Sequence, residues 1–108
     1  MMWIFTSNGF LSIVSHRQKP EHLLVRARNV THLKTLFPNA EHFTIENADY
    51  PYRAVVHKDD VADFILKYIQ DLDYDNFKNS VTETDYLQSC NQVWSLMYEY
   101  GLPFRRVV

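Results

Sequence analysis

Residues 52–72 read YRAVVHKDDVADFILKYIQDL, and two kinds of structure meet inside them. Tyr52–Lys58 (YRAVVHK) is a run of β-formers and reads as a strand. From Asp59 the pattern changes. Val61, Phe64, Ile65, Tyr68, Ile69 and Leu72 recur at i, i+3, i+4 spacing, the cleanest helical period in the chain. Asp59 is the expected cap of this helix, with Asp60 and Asp63 in its first turn, where negative charge suits the helix dipole. A strand running directly into an amphipathic helix calls for a sheet with a helical layer against it.

Upstream, the same reading yields more strands. Leu23–Arg28 (LLVRAR) alternates, with Leu23, Val25 and Ala27 on one face and Leu24, Arg26 and Arg28 on the other. Trp3–Val14 is rich in β-formers around Asn8-Gly9, which predicts a tight hairpin, with one long strand carrying a glycine bulge as the alternative. Asn29 is placed to cap a short helix whose apolar positions are Val30, Leu33, Leu36 and Phe37, ended by Pro38. His42–Asn47 (HFTIEN) reads as a further strand, joined to Tyr52–Lys58 around Ala48-Asp49-Tyr50-Pro51. After a polar segment at Asp73–Thr82, a third helix runs from about Glu83 to Tyr100. Its inward positions are Tyr86, Cys90, Val93, Trp94 and Met97, and Gly101 is its expected stop. Strands lead and helices cluster late. This predicts a single α+β domain over residues 1–108, a two-layer sandwich of a four- to five-stranded antiparallel sheet against two or three helices. Ferredoxin-like topology is the first expectation for its strand order, and residues 102–108 read as a frayed tail or an added edge strand.

The bulk composition agrees with a globular protein. The chain has 108 residues, 46% hydrophobic and 22% charged, which argues against global disorder. Seven Phe, seven Tyr and two Trp are too many rings to bury completely in so small a fold, so some are expected at a surface or partner site. The one cysteine, Cys90, excludes an internal disulfide and fits a reducing compartment. The opening MMWIFTSNGF lacks a basic n-region, and no apolar run reaches the length of a membrane span. A cytoplasmic protein with no membrane partner is the expectation. Net charge is −2, but unevenly laid out. Residues 1–58 carry seven Lys/Arg against four Asp/Glu, whereas residues 59–104 carry two against nine. Such a chain is electrically bipolar if the two segments form different layers.

Several segments, taken together, resemble a family of small bacterial proteins of unknown function. These are Trp3-Ile4-Phe5-Thr6 with Gly9-Phe10 and Ser12-Ile13-Val14, then Arg26-Ala27-Arg28, Ala48-Asp49-Tyr50-Pro51-Tyr52-Arg53, Asp73-Tyr74 with Asn76-Phe77-Lys78, and Val93-Trp94. The likeness covers most of residues 3–97 in the same order. It implies no activity, ligand or catalytic residue, but the shared segments are polar and aromatic rather than only apolar.

The chemistry-bearing residues centre on arginine. Arg53 is expected on the same sheet face as Arg26 and Arg28, and three guanidiniums gathered there would form a fork-shaped receptor for phosphate or carboxylate. Tyr50 and Tyr52 would supply rings for stacking. The competing reading is internal pairing, in which Asp49, Asp73 and Asp75 neutralise the set and pin the loops to the sheet. Asp73-Tyr74-Asp75-Asn76-Phe77-Lys78 fits a capped turn better than a cation loop, since it lacks the turn glycine and the downstream glutamate. The five histidines have no zinc-ligand spacing and no Gly-rich phosphate loop is present, so no metal or cofactor is called for. The expected function is therefore a non-catalytic binding or regulatory protein for an anionic partner: a nucleotide, a nucleic acid or an acidic protein surface. The alternative is a protein–protein interaction or inhibitor protein, of phage or host origin, using the acidic helical row Asp59, Asp60, Asp63 and Asp71. A phosphoester hydrolase using Asp73 or His57 ranks last, and Trp94 and Met97 could anchor a homodimer.

Overall fold

A computed structural model describes residues 1–105. Five strands form one antiparallel sheet: β1 (Met2–Thr6), β2 (Gly9–Ser15), β3 (His22–Ala27), β4 (His42–Thr44) and β5 (Tyr52–His57), in the order β1-β2-β3-β5-β4. Helix α1 (Val30–Leu36) follows β3, and α2 (Lys58–Gln70) follows β5 without a gap. A one-turn helix α3 (Phe77–Ser80), the long α4 (Thr84–Gly101) and a 3₁₀ turn at Leu102–Phe104 complete the described chain. The α+β sandwich is as expected, but the strand order is not ferredoxin-like. Three strands precede the first helix, so β1, β2 and β3 lie side by side as a meander, and only β4 and β5 exchange places. Arg105 is extended, so the tail forms a 3₁₀ turn where an edge strand was considered, and residues 106–108 lie outside the described residues.

The turns explain the register. β1 and β2 pair from Met2↔Ile13 to Thr6↔Gly9, so the tight hairpin turns on Ser7-Asn8 and Gly9 already belongs to β2. The Thr6 hydroxyl organises this turn by donating to the Gly9 carbonyl (3.0 Å) and accepting from the Asn8 amide (3.1 Å). Gly9 has φ +155°, and a Cβ there would stand 2.6 Å from Cγ of His32. Glycine is therefore required both by the backbone and by the ring lying against it. β4 ends three residues earlier than its sequence suggests, because Asn47 adopts a left-handed conformation (φ 66°) and turns the chain. The cap of α2 is His57, whose Nδ1 accepts from the Asp59 amide (3.1 Å), so Asp59 moves into the first turn. The capped turn expected at Asp73–Lys78 is the start of α3, where the Asn76 side chain accepts from the Lys78 and Asn79 amides. α4 ends at Gly101, as expected, and the chain continues directly into the 3₁₀ turn containing Pro103.

Strand alternation sorts the side chains into two faces. On one, Leu11, Ile13, Val25, Ala27, Ala54 and Val56 are buried under Leu33, Leu36 and Phe37 of α1 and Val61, Phe64 and Ile65 of α2. The other carries Trp3, Phe5, Phe10, Ser12, Arg26 and Arg53, as the pairings Trp3↔Ser12, Phe5↔Phe10, Ser12↔Arg26 and Arg26↔Arg53 require. Only one end of this second face is covered. There Tyr86 and Cys90 of α4, with Val81, pack on Phe5 and Phe10. Two polar links hold the same end: the Tyr86 hydroxyl donates to the Thr6 carbonyl (2.8 Å), and the Ser7 and Ser80 hydroxyls lie 2.6 Å apart. Among the described residues, no helix is long and apolar enough to cross a membrane.

Candidate functional site

The pairings across the second face lay out one continuous row, Trp3–Ser12–Arg26–Arg53–Phe43, spanning all five strands. Arg26 and Arg53 are direct neighbours, an arrangement that two cations tolerate only when something satisfies or separates them. Each is satisfied by its own partners, and Tyr50 serves both. Its ring is buried, 3% exposed, with the Arg26 guanidinium 4.6 Å and the Arg28 guanidinium 4.5 Å from the ring centroid. Two cation–π contacts on one buried ring fix both planar groups in place. Arg53 is held from behind, its Nε donating to the Tyr50 carbonyl (2.9 Å).

The carboxylates expected to neutralise the set mostly do not reach it. Asp49 approaches Arg53 at 3.9 Å from an exposed position, a weak contact. Asp73 and Asp75 make no ion pair with any of the three arginines, and among the described residues no carboxylate pairs with Arg26 or Arg28. Arg26 instead donates to the Ser12 hydroxyl (2.7 Å), and its Nε is buried with no partner. Lys78 lies over the Trp94 ring of α4 (4.8 Å) and belongs to neither the anion set nor its neutralisation. Two tyrosine expectations also change. Tyr52 pairs with Ala27 and packs against the main core, on the face opposite the arginines, because alternation must set it apart from its neighbour Arg53. Tyr50 is on the right face, but its ring is buried and engaged by two guanidiniums, so it orients them rather than offering a surface for stacking.

The ring that stays free is Trp3, 54% exposed and packed edge-on against Phe10, which itself stacks on Phe5. Trp3, Phe5, Phe10 and Tyr86 wall a cleft of about 430 Å³, into which Arg28, Asn29, His32, Glu83 and Asp85 bring polar groups. An apolar hollow with a few convergent polar groups is the usual form of a ligand site. A larger hollow of about 710 Å³ lies between α2 and the hairpin, where Lys67 and Asp71 pair at 3.1 Å, and none of the three arginines reaches it. His32 faces Tyr86 with ring centroids 4.8 Å apart, and its Nδ1 accepts from the Phe10 amide (3.1 Å). Burial lowers its pKa against the opposing pull of Glu83, which keeps the ring neutral at physiological pH.

The aromatic walls and His32 were not foreseen. Their alternation is visible in the sequence, but the register that places Phe10 near Arg28 and the docking of α4 are not. Neither Tyr86 nor Cys90 is poised as a nucleophile, because burial pushes both the phenol and the thiol above their ordinary values. His57 is used as a helix cap and packs edge-on against His22. The arrangement brings planar cations and an exposed indole to one end of the sheet face. No family model, no curated protein and no solved structure matches this chain.

Proposed function

We propose that this chain is a non-catalytic binding protein that takes an anionic, ring-bearing partner, a nucleotide or a stretch of single-stranded nucleic acid, at the Arg28–Trp3 end of its open sheet face. The observation that carries the reading is the pair of guanidiniums clamped on Tyr50 without a carboxylate between them. A phosphate accepts the donors that Arg28 presents, and a base stacks on the exposed Trp3 indole at sequence-tolerant strength. The acidic side chains Glu83 and Asp85 at the cleft rim favour a partner whose charge is concentrated on the arginine side.

The test is anisotropy of labelled single-stranded RNA, single-stranded DNA and a nucleoside triphosphate, with an acidic peptide beside them, at low and high salt. Binding should weaken with salt. It should fall about tenfold or more in Arg28→Ala, the loss expected for a charge-assisted hydrogen-bonded contact, and should fall again in Trp3→Ala. Arg28 is exposed, so its replacement leaves the fold intact. Equal binding by wild type and Arg28→Ala, or no binding to any probe, overturns the proposal. Preference for the acidic peptide replaces the nucleic-acid class with a protein surface.

A further inference from the structure

Helix α4 outruns the body it packs on. Tyr86 and Cys90 are buried against the hairpin and Val93 is half-buried at the edge of the cleft, but the same stripe continues as Met97, Tyr100 and, in the following turn, Phe104, all largely exposed. The spacing along Tyr86, Cys90, Val93, Met97, Tyr100 and Phe104 is 4-3-4-3-4, the heptad seam by which one helix packs against another. Exposure rises towards the end: Trp94 is 55%, Met97 59%, Tyr100 66% and Phe104 70% exposed. Leu96, Tyr98 and Leu102 are exposed as well. No charged residue occurs between Asp85 and Glu99, whereas a helix destined for water normally carries charge on its outer face. The molecule measures 49 × 31 × 28 Å, as a projecting helix requires.

We infer that this unpartnered half of α4 pairs with the same half of α4 in a second copy of the chain, antiparallel, with Met97 near the two-fold axis. Area supports a copy as the occupant. Long and aromatic side chains expose about 150–250 Å² each when free, so these half-exposed residues present roughly 600–800 Å², close to one partner's share of a standard-size interface of about 1,600 Å². A second copy brings the same seam at the same length, so one isologous contact covers both. Gly101, the last residue of α4, suits the same arrangement: its backbone is right-handed helical, and a Cβ on it would meet nothing within 4 Å. In the antiparallel pairing, Gly101 comes opposite Val93 of the second copy, where a missing side chain lets the backbones approach. Trp94 then faces Tyr100 of the second copy.

The test is the solution mass over a range of concentrations, by light scattering or sedimentation, for wild type, Met97→Asp and Leu66→Asp. Leu66 is a comparably exposed residue on α2, away from the seam. Wild type and Leu66→Asp should show twice the mass of one chain. Met97→Asp should show one, with an unchanged circular dichroism spectrum, because Met97 supports nothing within its own chain. In a Cys90→Ser background, Met97→Cys should form an intermolecular disulfide on mild oxidation, as a residue on the axis must. A wild type that stays single at every concentration overturns the inference, as does a dimer that survives Met97→Asp. A dimer that dissociates with Met97→Asp but resists the Met97→Cys cross-link overturns the antiparallel axis.

Discussion

The two faces of the sheet are built from alternate residues of the same strands, yet they are closed by different means. Leu11, Val25 and Ala54 are covered by helices, and their burial is a hydrophobic effect spread over many contacts. Ser12, Arg26 and Arg53 are covered by side chains of the face itself: Arg26 lies on Ser12, and the Tyr50 ring engages both Arg26 and Arg28. One face tolerates any well-filling apolar group. The other depends on particular donors, rings and spacings, which is the form expected where a molecule must present chemistry to solvent without losing its order.

Denaturant unfolding can break that distinction. Leu33→Ala, at a fully buried position between α1 and the sheet, should destabilise by about 3–4 kcal/mol. It should leave the affinity of the remaining folded protein unaltered. Tyr50→Ala should destabilise by about 3 kcal/mol, close to a core truncation, and should also release both guanidiniums and weaken anion binding. Tyr50→Phe keeps the ring and should change stability by less than about 0.5 kcal/mol. If Tyr50→Ala is mild, the second face is not closed by this ring and the comparison fails. Gly9→Ala should destabilise by about 2 kcal/mol, through strained backbone and collision with His32. Relief of that defect by His32→Ala would show that the ring, not the backbone, sets most of it.

The smallest effect concerns pH. The folded His32 has a pKa below its ordinary 6.5, so above that value it contributes fully. As pH falls through 6.5 the unfolded state takes up the proton first, and stability declines until the folded pKa is passed. Phe10 then loses an acceptor for its amide. His32→Gln should remove this slope below pH 6.5, as read from urea midpoints above and below that value. A variant with the wild-type slope places the titration elsewhere.

Much of the fold was legible because local rules and the tertiary answer coincide. The stripe from Val61 to Tyr68 is amphipathic with one face on the sheet, and the Asn29 cap and the Leu23–Ala27 alternation hold as read. Departures arise where a partner distant in sequence decides. The strand order depends on which edges β4 and β5 find, a matter that no window of residues contains. Arg26, Arg28 and Arg53 were placed on one face by alternation alone, and the same rule, applied to its neighbour, puts Tyr52 on the other. Their relation to carboxylates was not legible, because proximity in charge counts says nothing of reach. Asp49 lies four residues from Arg53 and comes near it, while Asp73 and Asp75 belong to a loop that α3 fastens elsewhere.

The main cluster of apolar contacts draws all its members from residues 4–68. The hydroxyl of Tyr86 clasps Thr6 across 80 positions, long after that cluster is complete. Among the described residues, those after 68 add no apolar member to that interior, so the segment that fastens the hairpin acts as a clasp on a surface organised without it.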